Sequence, residues 1–173
     1  MTFARVLGQK RAAAVLSGLL RADRIPSALL FCGLEGTGKT LMALEFAKSL
    51  GCRARRGDAA ACQSCSDCAG VEKRNHPDVA LVNAAYQACL REEEPAKQRT
   101  LRVDTIRHLR KDMEMRSLLG GWKVAVIEDA HTLEIEAANA LLKTLEEPQP
   151  GVLWILITAQ RRHWATGRIR GRA

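Results

Sequence analysis

The sequence predicts an α/β domain built on a mainly parallel sheet, and three observations lead there. Four short apolar runs are continuous rather than alternating, as strands covered on both faces are. The segments between them have helical periodicity. The first run breaks into a glycine-rich loop that passes directly into a helix-forming stretch, and helices alternating with apolar strands define this fold class.

The elements follow in order. "GQKRAAAVLSGLLRADR" (8–24) places Val15, Leu16, Leu19 and Leu20 at helical spacing, and Pro26 is expected to end the helix. "ALLFC" (28–32) is a buried strand stopping at Gly33, with Cys32 expected in the core. "LMALEFAKSL" (41–50) is rich in helix formers, and Gly51 supplies its stop. "DVALV" (78–82) reads as the second strand, and the acid-rich residues 83–100 read as a surface excursion. "RVDTIRHLRKDMEM" (102–115) sets Ile106, Leu109 and Met113 on one face, with Asp104 as a candidate cap. "KVAVI" (123–127) is the clearest strand, "EIEAANALLKTLEE" (134–147) a helix closed by Pro148, and "VLWILIT" (152–158) the fourth strand.

The bulk numbers fit one domain. The 173 residues, 47% apolar and 27% charged, suffice for a real core. No apolar run approaches the roughly 20 residues of a membrane span, and the start lacks a signal-peptide stretch, so a cytoplasmic location with reduced thiols is expected. Five arginines of "RRHWATGRIRGRA" (161–173) account for most of the net charge of +8, which leaves +3 on residues 1–160. The basic signal is therefore a tail. The near-neutral body and the seven aromatics, none of them clustered, argue against a zinc-ribbon nucleic-acid binder.

Gly33-Leu-Glu-Gly-Thr-Gly-Lys39-Thr40 is a full match to G-x-x-x-x-G-K-[ST], in the strand–loop–helix setting its mechanism requires. Gly36 and Gly38, flanking Thr37, let the backbone wrap so that its N–H groups face phosphate oxygens at a helix N-terminus. Lys39 would reach the β- and γ-phosphates of ATP, and the Thr40 hydroxyl would ligate Mg²⁺. "VAVIEDAH" (124–131) supplies the acid such a site needs. Glu128 reaches the metal through water, and Asp129 stands where a catalytic base would be. The usual order is Asp then Glu. The reversed order leaves the base one methylene short, so ATP binding is expected to outlast hydrolysis.

Cys52, Cys62, Cys65 and Cys68 form C-x9-C-x2-C-x2-C within residues 51–70. Two overlapping C-x2-C turns with a fourth thiol favour a closed structural zinc site over redox thiols, an iron–sulfur cluster or free buried cysteines. So short an insertion has too little apolar content to hold itself without a metal. Arg53, Arg55 and Arg56 are read as solvating this loop, His76 in "NHPD" as a turn residue, and Cys89 is left unassigned.

A phosphate loop followed at once by four such cysteines resembles the delta-prime subunits of the bacterial DNA polymerase III clamp loader, members of the AAA+ superfamily. The matching stretches are "LGQKRA" (7–12), "RIPSALLFCGLEGTGKT" (24–40), the cysteines, "NHPD" (75–78), "IRHL" (106–109), "GGWKVAVIEDAH" (120–131) and "AANALLKTLEEP" (137–148). "NHPD" and the Glu128-Asp129 order set the chain apart from the related motor subunits, tau/gamma. The resemblance implies an AAA+ P-loop NTPase domain over 1–160, with the four-cysteine zinc module inserted at 51–70. It also implies a place in the ring that loads the sliding clamp on primer-template DNA, with tau/gamma and delta as neighbours. The alternative is a motor-like, hydrolysing ATPase. By the resemblance Val6 to Gln9 line the adenine side, and a residue near Thr158 to Gln160 senses the γ-phosphate. Arg172, in Gly171-Arg172-Ala173, stands where the family carries a Ser-Arg-Cys arginine finger. The family continues into a helical lid and a collar domain where this sequence stops, and the composition of 161–173 suggests a shortened chain, an incomplete reading or a change of reading frame near residue 160.

Overall fold

The structure is a computed structural model describing Phe3 and residues 5–55 and 60–159; Arg56, Gln160 and the 161–173 tail with Arg172 lie outside the described residues. Four strands, β1 (Ala28–Cys32), β2 (Val79–Val82), β3 (Lys123–Ile127) and β4 (Val152–Thr158), form one sheet in the order β1-β4-β3-β2. Every pairing is parallel. The helices are α1 (Lys10–Ala22), α2 (Lys39–Gly51), α3 (Ser66–Glu72), α4 (Ala84–Arg91), α5 (Val103–Glu114) and α6 (Ile135–Glu146).

The two central strands show why continuous apolar runs were needed. Val124, Val126, Leu153 and Ile155 pack on one face with Leu16, Leu20, Met42 and Phe46 from α1 and α2. Ala125, Ile127, Trp154 and Leu156 pack on the other with Ile106, Leu109 and Leu141 from α5 and α6. Every residue of β3 and β4 is buried, giving three layers around one sheet.

Several expectations are corrected. β1 is an edge strand: Leu30 is 42% exposed and Cys32 is exposed, so Cys32 is not core. Helix α1 ends at Asp23, in the left-handed region at φ 50°, three residues before Pro26, and Val15 on that helix is 59% exposed. The α5 cap position is Arg102; Asp104 sits in the first turn, where it pairs with Arg107 at 3.5 Å. Residues 83–100 are not a surface excursion, because α4 forms there around fully buried Gln87. Its amide donates to Gln98 Oε1 at 2.7 Å and to the Thr100 carbonyl at 2.8 Å, and accepts from Arg102 N–H and the Thr105 hydroxyl, both at 2.7 Å. A polar residue with every hydrogen-bonding position filled can sit in a core.

Candidate functional site

Parallel pairing brings the carboxyl ends of all four strands to one rim, where open α/β sheets form their ligand crevices. Cys32 pairs with Thr158, and the Gly33 N–H donates to the Thr158 carbonyl at 3.2 Å, so the glycine loop starts at that rim. Ile127 lies beside Leu156 and Val82 beside Ile127, which sets Glu128 and Asn83 next to each other. Gly36 and Gly38 take φ of 75° and 80°, a region costly for residues with a Cβ, and the chain then enters α2 at Lys39.

A cleft of about 310 Å³ joins this loop to the acid pair, lined by Gly36, Gly38, Lys39, Thr40, Glu128 and Asp129 among others. The Thr40 hydroxyl donates to Glu128 Oε1 at 2.5 Å, bridging the residue after the loop lysine to the end of β3. Glu128 Oε2 accepts from Asn83 Nδ2 at 2.8 Å. Asn83 also caps α4, its Oδ1 accepting from the Tyr86 N–H at 3.0 Å. The sequence reading missed Asn83, whose only signal was its place directly after a strand parallel to the acid-bearing one. Lys39 Nζ donates to the carbonyls of Gly33 and Leu34 at 2.8 and 2.7 Å, and the Thr37 hydroxyl donates to the Leu34 carbonyl at 2.8 Å. Asp129 takes φ 45°, tolerated by Asp more readily than by most residues, and its carbonyl accepts from Thr132.

A second cleft of about 520 Å³ continues from the loop along the exposed edge, lined by Gln9, Val15, Leu30, Phe31, Gly38 and Lys39 among others. Gln9 Nε2 donates to the Thr37 carbonyl at 3.3 Å, and Val6 Cγ1 lies 3.6 Å from where a Cβ on Gly38 would stand. The N-terminal segment thus leans on the loop.

At the far end of α2 the four cysteine sulfurs lie within 4.8 Å of one another, Cys52 to Cys65 at 3.9 Å and Cys62 to Cys68 at 4.0 Å. A tetrahedral zinc at its usual bond length sets sulfurs about 3.8 Å apart, so the cluster fits that ion. Backbone N–H groups of Cys62, Cys65 and Cys68 point at the sulfurs of Cys52, Cys62 and Cys65 at 3.4, 3.3 and 3.5 Å, the donors that stabilise metal-bound thiolates. The N–H groups of Ser64 and Cys65 bring the Cys62 thiol down to about 6, while burial pushes Cys52 and Cys68 up. Arg53 grips both oxygens of Asp67 at 3.0 Å, so it braces the module as well as solvating it. His76 keeps its turn role, Nδ1 accepting from the Asp78 N–H at 3.1 Å.

The family described as "DNA polymerase III, delta subunit" matches residues 8–171. The tau/gamma subunit of DNA polymerase III from Haemophilus influenzae is 36% identical over 157 residues, 91% of this chain and 21% of that protein. The delta' subunit from Bacillus subtilis is 34% identical over 152 residues, 88% of this chain and 42% of its own length. The delta' subunit from Pseudomonas aeruginosa is 36% identical over 140 residues, covering 81% and 39%. A gamma subunit-related protein of DNA polymerase III from Thermotoga maritima shares the fold, with a TM-score of 0.57 at 18% identity over 83% of this chain and 39% of that one. The chain thus spans between a fifth and less than half of the curated relatives just named. Among the described residues no helix is long and apolar enough to cross a membrane.

Proposed function

Because the chain belongs to the DNA polymerase III delta-subunit family, we propose that it is the nucleotide-binding part of a clamp-loader subunit, holding ATP with Mg²⁺ and working within the replicative polymerase assembly. The observation that carries this reading is the 2.5 Å contact between Thr40 and Glu128, which joins the phosphate loop to the strand-end acid. Backbone N–H groups from Gly36 to Thr40 and the Lys39 ammonium would hold the phosphates, and Thr40 with Glu128 would hold the magnesium. The bound metal would neutralise phosphate charge. The apolar cleft beside Val15, Leu30 and Phe31 suits a base, with Gln9 on its wall and Val6 behind it against Gly38. Four cysteines would retain one structural zinc, which leaves no coordination position for chemistry.

Glu128 already shares both carboxylate oxygens with Thr40 and Asn83, and Asp129 is a short acid on a left-handed turn. This arrangement supports binding more than hydrolysis, and with it a delta-prime role beside tau/gamma and delta subunits on the sliding clamp and primer-template DNA. The residue span 1–160 as one nucleotide domain, and Arg172 as an arginine finger, are proposals on the same footing. The test is binding of a fluorescent ATP analogue with Mg²⁺ to the full chain, with phosphate release measured in parallel. Binding abolished by Lys39→Ala, with no release, is the expected result. Release abolished by the same change makes the chain a hydrolysing ATPase, and binding indifferent to Lys39 overturns the site.

A further inference from the structure

Helix α2 connects the two candidate sites physically. It begins at Lys39 and Thr40 and passes at its C-terminal cap into Cys52, so 13 residues, about 20 Å of helix, separate phosphate loop from first thiol. Midway along it, Glu45 and Lys48 are each only 2% exposed and pair at 2.9 Å. Burying two charges demands further partners, and these come from two other parts of the chain.

From the cysteine module, Gln63 donates to Glu45 Oε2 at 2.7 Å and accepts from Lys48 Nζ at 3.2 Å. Gln63 sits between Cys62 and Ser64 with φ 64°, so the thiol turns fix where its amide points. Glu72, the last residue of α3, accepts from Lys48 as well. That helix is capped by Cys65, whose sulfur accepts from the Cys68 N–H. From the N-terminal segment, Arg5 donates to both Glu72 oxygens at 2.7 and 2.9 Å and to Glu45 at 3.3 Å. Two acids and two bases balance. Arg5 and Lys48 hold the Glu72 carboxyl down to about 2.

Arg5 also has a particular neighbour in the chain. Val6 is the residue that leans on Gly38, Gln9 reaches the Thr37 carbonyl, and buried Phe3 stacks on Phe46 of α2 with ring centres 6.4 Å apart. The segment that brings Gln9 to the larger cleft is therefore fastened at Phe3 and Arg5, and the two shorter bonds of Arg5 run to Glu72 at the end of α3, the third to Glu45 of α2.

We propose that Arg5 and Glu72 are positioning residues through which the metal-held module holds residues 5–9 against the phosphate loop, so that zinc retention tightens nucleotide binding. The proposal rests on the nucleotide reading above and gives the module a task inside the chain. Neither residue touches the nucleotide; each acts through Val6, Gln9 and the loop.

The experiment uses the full zinc-loaded chain, Arg5→Met, Glu72→Gln and the double variant. It measures zinc content, dissociation constants for a fluorescent ATP analogue with Mg²⁺, and hydrogen exchange of the amides of residues 5–9 and 36–40. Each single variant is expected to keep its zinc yet weaken nucleotide binding by about fivefold, at the lower end of ordinary couplings. The double variant should be no worse than either, because the two side chains act as one tie. Stripping zinc should weaken binding by a similar factor in the native chain and by little in Arg5→Met. Exchange of residues 5–9 should quicken in the variants while zinc stays bound. Native affinity and native exchange in zinc-replete Arg5→Met and Glu72→Gln overturn the proposal. If the native chain binds no nucleotide, the functional reading fails, and the exchange measurement alone still decides whether the module holds the segment.

Discussion

The two ends of helix α2 differ in how their sites are assembled. At the C-terminal end, three thiols come from seven consecutive residues, with Cys52 following the helix directly, and tight turns aim N–H groups at the sulfurs. At the N-terminal end, the groups that matter come from positions as far apart as Gly33, Asn83 and Glu128, and only the pairing of four strands brings them together. The first site depends on local geometry and a metal, the second on the whole sheet. The cysteine module should therefore fail locally, and the nucleotide site should fail with the domain or with the side chains that orient it.

The largest effect should come from removing zinc. Structural zinc binding is worth on the order of 10 kcal/mol, so a strong chelator or Cys68→Ser should melt residues 52–72 while hydrogen exchange in β3 and β4 stays slow. Loss of protection through the whole sheet would erase the contrast between the sites. Next comes Lys48→Ala, which leaves Glu45 buried with weaker compensation. A loss of about 3 kcal/mol, or roughly 10 °C in melting temperature, is expected.

Asp78 belongs to neither site, although its N–H donates to His76, which packs on Gly51 and Gly70 of the cysteine module. It is 1% exposed, and its carboxylate accepts from the Ser117 hydroxyl and from the N–H groups of Leu118 and Leu119 at 2.8, 2.9 and 3.0 Å. Burial pushes its pKa up, but these three donors outweigh burial and leave it below the ordinary 3.8. Asp78→Asn should destabilise by about 2 kcal/mol with zinc content and nucleotide affinity unchanged. The group's native value is depressed, so its stabilisation is complete above the ordinary value and fades as pH falls through the native one. Melting of native and variant chains should then converge in strong acid. A gap that widens on acidification would contradict the assignment.

The smallest effect concerns Glu128. Asn83→Asp keeps an oxygen to cap α4 but sets a second carboxylate against Glu128 and removes its donor. Helix content should be unchanged, while the Mg²⁺-dependent part of nucleotide affinity falls by about fivefold, roughly one hydrogen bond. Asn83→Ala should instead lower stability by about 1 kcal/mol through the lost cap.

What could be read beforehand follows the same division between local and assembled structure. Strands β1, β3 and β4 coincide with their apolar runs, and the phosphate-loop and cysteine patterns fall where their spacing placed them. Helix α4 was missed because its core residue is a glutamine, and a polar letter does not reveal that every hydrogen-bonding position of its amide will be filled. Cys32 was misplaced because an apolar run does not say whether its strand ends up central or at an edge. The tie of Asn83 to Glu128 and that of Arg5 to Glu72 join residues 45 and 67 positions apart, which no window of sequence contains.

The central claim is that the loop at Lys39 and the acid at Glu128 form one magnesium–nucleotide site. Calorimetric titration of the full chain with ATP, with and without Mg²⁺, beside Lys39→Ala and Glu128→Gln, tests it most directly. Binding should vanish in Lys39→Ala, and in Glu128→Gln it should persist but lose its dependence on magnesium. Magnesium dependence undiminished in Glu128→Gln would contradict the claim, because the strand-end acid would then be no part of the site that the loop forms.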